Sequence, residues 1–290
     1  MVVQHNLQAM NANRQLGITT NGQGKSTEKL SSGYKINRAA DDAAGLAISE
    51  KMRTQVRGLN RASTNAQDGI SVVQTAEGAL NEVHDMLHRM NELATQAAND
   101  TNTSIDRLQI SKEIDQLVSE IDRVASTTQF NTMNLLDGSF TSKNLQVGSL
   151  EKQKIEISIQ ALSASGLGLA TKFPASGPAV GMQGADGNAH NLNVSSFVKA
   201  GESMTLVQKA IDIVSTQRAN LGAIQNRLEH TIANLDTTSE NTQAAESRIR
   251  DTDMAEEMVR YSKNNILAQA GQSMLAQANQ ATQGVLSLLQ

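Results

Sequence analysis

The stretch AQDGISVVQTAEGALNEVHDMLHRMNELATQA, residues 66–97, decides the fold. Its apolar positions are Ala66, Ile70, Val73, Ala76, Leu80, Val83, Leu87, Met90, Ala94 and Ala97. They step by threes and fours throughout, which winds one apolar stripe along a helix. Upstream, Asp41 and Asp42 stand where an acid caps a helix and favours its positive end. A helix from about Ala43 to Asn99 is roughly 85 Å long at 1.5 Å per residue, a rod that few compact domains use. Gly58, Gly69 and Gly78 lie inside it. Each costs an isolated helix about 1 kcal/mol against Ala, so another helix is expected to pack closely there.

Downstream, Asp100 to Ser104 reads as a turn, and a second helix carries Ile110, Ile114, Leu117, Ile121 and Val124 on one face. Asp137-Gly138 signals a turn. Lys154 to Gln160 alternates strictly between polar and apolar residues, the pattern of a half-buried strand. Leu145 to Val147 is its candidate hairpin partner. From Ser163 to Gly201 glycine, serine and both prolines (Pro174, Pro178) gather and periodicity is lost, so an irregular insert is expected, too short for a sizeable domain of its own. Helical spacing returns with Val207, Ala210, Val214, Leu221, Ile224, Leu228 and Leu235.

The two ends carry stripes as well. Leu267, Gly271, Met274, Ala278, Ala281, Val285 and Leu288 alternate steps of four and three, a coiled-coil seam of largely small residues. Val3, Leu7 and Met10 form a weaker stripe in the first twenty residues, followed by a polar, glycine-bearing stretch from Asn21 to Gly33. Chain ends usually fray and tolerate polar residues. Apolar stripes at both ends imply partners: each other, or neighbouring subunits. Surface helices on an ordinary bundle are the alternative.

Composition narrows the class. Apolar residues are 39% of the 290, aromatics only 2%, and there is no Trp. A core built from Leu, Ile, Val, Met and Ala suits thin helical bundles rather than a thick globule. The net charge of −4 argues against nucleic-acid binding, which needs a basic face. No apolar run approaches the ~20 residues of a membrane span. The first residues lack the basic and apolar stretches of a secretory signal. With no cysteine, disulfides and thiol chemistry are excluded.

Few residues point to chemistry. Gly22-Gln23-Gly24-Lys25-Ser26-Thr27 imitates the end of a phosphate-binding loop, but Thr19 stands where the motif needs glycine and no strand precedes it, so a flexible polar linker is expected. His84 and His88, four apart, share a helix face and suit a metal. They flank the apolar stripe without an apparent third ligand, which favours a solvated pair. No Gly-x-Ser-x-Gly elbow occurs. Neither cofactor nor catalytic residue is expected. The polar faces are rich in Asn, Gln, Ser and Thr, groups that pack against copies of themselves through modest hydrogen bonds. These features point to a structural subunit rather than an enzyme.

Longer motifs then carry a resemblance. Leu30-Ser31-Ser32-Gly33-Tyr34-Lys35-Ile36-Asn37, continuing through Ala39 to Ser49, closely resembles the N-terminal signature of bacterial flagellins. Thr128-Gln129-Phe130-Asn131 and Leu135-Leu136-Asp137-Gly138 resemble the segment after the family's second helix. Ala245 to Leu289 is similar to its C-terminal region. The likeness covers roughly residues 1–162 and 203–290.

The resemblance implies a mainly α fold: a long helical rod or bundle with a small β-hairpin region, plus a coiled coil of the terminal helices. Residues 1–43 and 250–290 would form the inner coiled-coil domain, 44–170 and 203–249 the rod, and 171–202 a short variable outer segment. The implied function is an extracellular subunit that polymerises with itself into the flagellar filament for motility. The implied partners are the flagellar type III export machinery, an export chaperone, and the flagellar cap and junction proteins, with export needing no cleaved signal peptide. The filament-core seam would comprise Val3, Leu7, Met10, Leu267, Met274, Ala278, Ala281, Val285 and Leu288. A host partner is implied too. Arg89 to Gln96 resembles the motif seen by the flagellin-sensing Toll-like receptor, with Arg89, Leu93, Gln96 and Glu113 as contacts. An exposed Arg beside an apolar Leu has the make-up of a hot spot. A flagellar junction protein, a helical ligand acting as a monomer, and an enzyme or metal protein centred on His84 and His88 are the rival readings.

Overall fold

The apolar stripe at 66–97 lies within one helix of 55 residues. The computed structural model describes residues 6–170 and 192–287, and for 281–287 the backbone alone. In chain order its elements are α1 (Leu7–Ser32), α2 (Ala43–Ala97), α3 (Ser104–Thr127), β1 (Gln129–Phe130), β2 (Met133–Asn134), β3 (Lys143–Gln146), β4 (Lys154–Ile157), α4 (Phe197–Arg250) and α5 (Met254–Ser287). They form a terminal unit, up to Arg57 and from Ser239 onward, and a central unit, Gly58–Thr238. The division falls inside α2 and α4.

In the central unit, α2, α3 and α4 share one core. Val73, Ala76, Leu80, Val83, Leu87 and Met90 of α2 are fully buried with Val118 and Ile121 of α3 and Val207, Ala210, Val214 and Leu221 of α4. In the gap between Val214 and Leu221, buried Gln217 donates its side-chain N–H to the Ser158 carbonyl at 3.2 Å. Ser63 donates to the Asp236 carboxylate at 3.0 Å, a polar pin that fixes the register of α2 against α4. The turn into α3 closes with a capping box. Asp106 Oδ2 accepts the Thr103 N–H at 2.9 Å, and Thr103 Oγ1 accepts the Asp106 N–H at 3.3 Å.

The expected hairpin is present. β3 pairs antiparallel with β4, and burial alternates from Lys154 to Gln160 with Ile155, Ile157 and Ile159 inside. This hairpin, not a helix, explains two of the glycines in α2. A Cβ on Gly69 would collide with Leu145 of β3, and one on Gly58 would stand 2.8 Å from Ser149 Cβ. Around Gly78 nothing lies within 4 Å. A smaller hairpin, β1–β2, was not legible in the sequence; Asn131 and Thr132 turn it with φ of 47° and 62°, both positive as the tightest hairpin loops require.

Two expectations are corrected. The insert expected from Ser163 to Gly201 is core at both ends: Ala164, Leu167, Leu169, Val194 and Ala200 are buried. Ala164, Leu167, Leu169 and Val194 are buried from loop backbone without a helical or strand period, while Ala200 lies in the first turn of α4 and continues its buried face through Ser203 and Val207. Residues 171–191 of the expected outer segment lie outside the described residues. Likewise Gly22–Thr27 is no flexible linker: α1 runs without a break from Leu7 to Ser32 and ends where Gly33 takes φ 75°, the left-handed cap that glycine adopts at least cost.

Candidate self-assembly and recognition surfaces

In the terminal unit α1 and α5 run antiparallel. Asn6 Nδ2 donates to the Ala278 carbonyl at 2.9 Å, Gly271 sits against Leu16, and Gly22 against Asn264. The Thr252 N–H donates to the Gly33 carbonyl at 3.0 Å. The more shielded positions of α1 are Ala9, Ala12, Leu16, Thr19, Gln23, Ser26 and Leu30; those of α5 are Glu257, Tyr261, Asn264, Ala268, Gly271, Leu275 and Ala278. Both series alternate threes and fours, the spacing of a coiled-coil seam. Half of these positions are Ala, Gly, Ser or Thr, which lets the two backbones approach closely.

This seam is displaced from the expected one. Among the described residues, Gly271 and Ala278 belong to both. Leu7, Met10, Leu267 and Met274 are 68%, 65%, 46% and 60% exposed. They do not hold α1 to α5. Ile18, Met254, Met258, Val259 and Ile266 are exposed with them, and Met258, Val259, Ile266 and Leu267 border one apolar hollow on α5 of about 510 Å³. Val3 and Leu288 lie outside the described residues, as do the side chains of Ala281 and Val285. Hydrophobic periodicity found the large side chains and missed the pairing face, whose signal is Ala, Gly, Ser, Thr and Asn.

The chain segments that join the helices of this unit are locked together. Tyr34 and Asp251 form an antiparallel bridge, and the Lys35 N–H donates to the Arg250 carbonyl at 2.6 Å. The Arg250 guanidinium lies 4.5 Å from the Tyr34 ring centre and 3.1 Å from Glu50. Ser49 donates to Glu246 at 3.1 Å. The two expected acidic caps divide their work. Asp42 Oδ1 accepts the Gly45 N–H at 2.9 Å at the start of α2. Asp41 accepts the N–H groups of Arg38 and Asn37, and these bonds, Arg38 first, hold its carboxyl below the usual range.

The receptor-contact residues expected by resemblance sit in the central unit. Arg89 on α2 donates to Glu113 of α3 at 2.8 and 3.0 Å and to Glu92 at 3.2 Å. Those bonds, Glu113 first, push its pKa up. Gln96 is exposed on the same helix. Leu93 is not available beside them: it is 2% exposed and belongs to the core, because it falls on the buried side of α2 with Met90 and Ala97. Among the described residues no group of three His, Cys, Asp or Glu could hold a metal. No helix there is long and apolar enough to cross a membrane.

A helical pair that leaves several large apolar residues facing outward, in a chain whose other unit has a core of its own, fits a structural subunit that completes itself by association. Comparison with known proteins gives the family. The bacterial flagellin N-terminal helical region matches residues 3–141 and the bacterial flagellin C-terminal helical region residues 204–289. The flagellin of Halalkalibacterium halodurans is 51% identical over 289 residues, spanning all of both chains. That of Bacillus subtilis is 48% identical over 311, again spanning all of both. The crystal structure of Bacillus cereus flagellin covers 63% of this chain and 94% of that one, with a TM-score of 0.47 and 28% identity. The chain belongs to the bacterial flagellin family. It is a structural subunit of the extracellular flagellar filament that serves motility, and not an enzyme.

Proposed function

We propose that the outward apolar faces of α1 and α5 are the surfaces on which copies polymerise, with Leu7, Met10, Leu267 and Met274 buried between subunits. Ala278, a position of the α1–α5 seam, would border this surface. The observation that carries this reading is the exposure of these large side chains beside a seam of small ones. Full burial of each contributes about 1.5–3 kcal/mol, ample drive for association once several are covered. Before assembly such a face needs shielding. An export chaperone on α5, passage through the flagellar type III machinery without a cleaved signal peptide, and capping by flagellar cap and junction proteins fit that need.

The central unit also offers a host receptor a charged surface. Arg89, Gln96 and Glu113 are the candidate contacts for the flagellin-sensing Toll-like receptor, with Leu93 supporting them from beneath. Arg89 is shared by Glu113 and Glu92, so a receptor acid must compete for it. Binding of the monomeric chain to the receptor ectodomain, with and without Arg89→Ala, tests this. At least a tenfold loss is expected for truncating a hot spot worth about 1.4 kcal/mol or more; unchanged affinity overturns the assignment.

A further inference from the structure

We propose that His84 and His88 form a chelating site for a divalent transition-metal ion with tetragonal preference, such as Cu²⁺ or Ni²⁺. The residues lie four apart on α2, one turn along the same face. Their Nε2 atoms stand 2.9 Å apart, with ring centres separated by 4.4 Å and ring planes at 90°. Metal–imidazole bonds of about 2.05 Å meeting at a right angle require about 2.9 Å between the nitrogens and about 4.5 Å between the ring centres. A tetrahedral bite requires about 3.3 Å between nitrogens. In the metal-free chain this contact is a hydrogen bond between the two rings, with the centres closer than the about 5.2 Å of an in-line bond. A metal ion would replace that proton, and both distances also match a right-angled chelate. Right-angled nitrogen pairs are the hallmark of tetragonal Cu²⁺ and Ni²⁺ rather than structural Zn²⁺.

The surroundings set the remaining ligands and the strength. His88 is exposed, so water completes the coordination sphere. Asn91 continues the same face, and its Oδ1 is buried without a hydrogen-bond partner, an oxygen donor one turn beyond His88. Two features weaken the site. His84 Nδ1 is buried without a partner, so it lacks the outer hydrogen bond that usually strengthens a ligating imidazole. Arg218 places a positive charge near His84, which Asp85 opposes.

The test is Cu²⁺ titration of the monomeric full chain by calorimetry, followed by electron paramagnetic resonance. The comparison variants are His88→Gln, and a triple variant in which His5, His190 and His230 become Ala. One equivalent should bind with Kd below about 100 µM and a tetragonal spectrum split by two nitrogens. Replacing His88, an exposed residue, should weaken binding by at least about tenfold. It should also abolish the Cu²⁺-induced rise in Tm while the metal-free melt stays unchanged. The triple variant should bind like the parent. No binding at about 1 mM, equal binding by His88→Gln, or loss of binding in the triple variant would each overturn the proposal.

Discussion

Gly58, Gly69 and Gly78 sit in one helix and differ only in what surrounds them, so replacing each with Ala isolates the packing of the β3–β4 hairpin on α2. In every case the change to Ala contributes about 1 kcal/mol of helix stability. At Gly78 nothing lies within 4 Å of the new Cβ, so the gain is kept, and Tm of the central unit should rise by about 2–4 °C. At Gly69 the Cβ overlaps Leu145 and stands 3.4 Å from Leu228. Overpacking of this kind costs about 1–3 kcal/mol, so the variant should be neutral to 2 kcal/mol less stable, a Tm lower by up to about 8 °C. Gly58 faces Ser149 with its Cβ at 2.8 Å and its Cα at 3.3 Å. Backbone cannot step aside as a side-chain tip does, so this variant should also fall below Gly78→Ala. Calorimetric melting of the three monomeric variants reads the order directly. Equal Tm values, or Gly69→Ala as the most stable, would refute the hairpin's placement against α2.

Leu87→Ala empties a fully buried position of the central core; denaturant unfolding should show a loss of about 2–5 kcal/mol. Lowering pH should destabilise the chain through Asp41 and Asp106. Hydrogen bonds, to Arg38 and Thr103 respectively, lower both folded pKa values. Their contribution is present above the ordinary carboxylate pKa near 3.8 and disappears as pH falls through the lowered folded values. Melting curves between neutral pH and about pH 2.5 should therefore be flatter for the double variant Asp41→Asn, Asp106→Asn than for the parent. Arg250→Lys removes a planar cation from the Tyr34 ring and Glu50. Hydrogen exchange at the Lys35 and Thr252 amides should accelerate by about tenfold, and unchanged protection would show that the backbone bridge holds without it.

What the sequence disclosed depended on what filled each interface. The central unit is legible because its core is made of Leu, Ile, Val and Met. The steps from Ala66 to Ala97 give α2 to within two residues of its end, and the alternation from Lys154 to Gln160 gives the hairpin's inner strand. The terminal pair is opaque to the same reading. Its seam joins Ala12, Thr19, Ser26, Asn264, Ala268 and Gly271, while Leu267 and Met274 point outward. An apolar stripe reports where water is finally excluded, which for a self-assembling chain includes surfaces bare in the single subunit. Leu93 errs in the other direction. It stands one turn from Arg89, but the about 40° by which a step of four overshoots a full turn rotates it toward Met90 and Ala97 and into the core. The convergence of His84 and His88 depends on side-chain rotamers, which spacing alone does not set.

Seeded filament growth followed by negative-stain electron microscopy tests the central claim most directly. Monomeric intact chain, the Met274→Asp variant and a chain ending at Asp251 are each mixed with short filament seeds. The charge in Met274→Asp would be buried on assembly without a partner, at a cost of several kcal/mol, yet it leaves the central unit untouched. Long filaments from the intact chain alone, with the central unit of both altered chains melting normally, is the predicted result. Normal filament yield from Met274→Asp, or growth from the truncated chain, would contradict the assignment of polymerisation to the outward faces of α1 and α5.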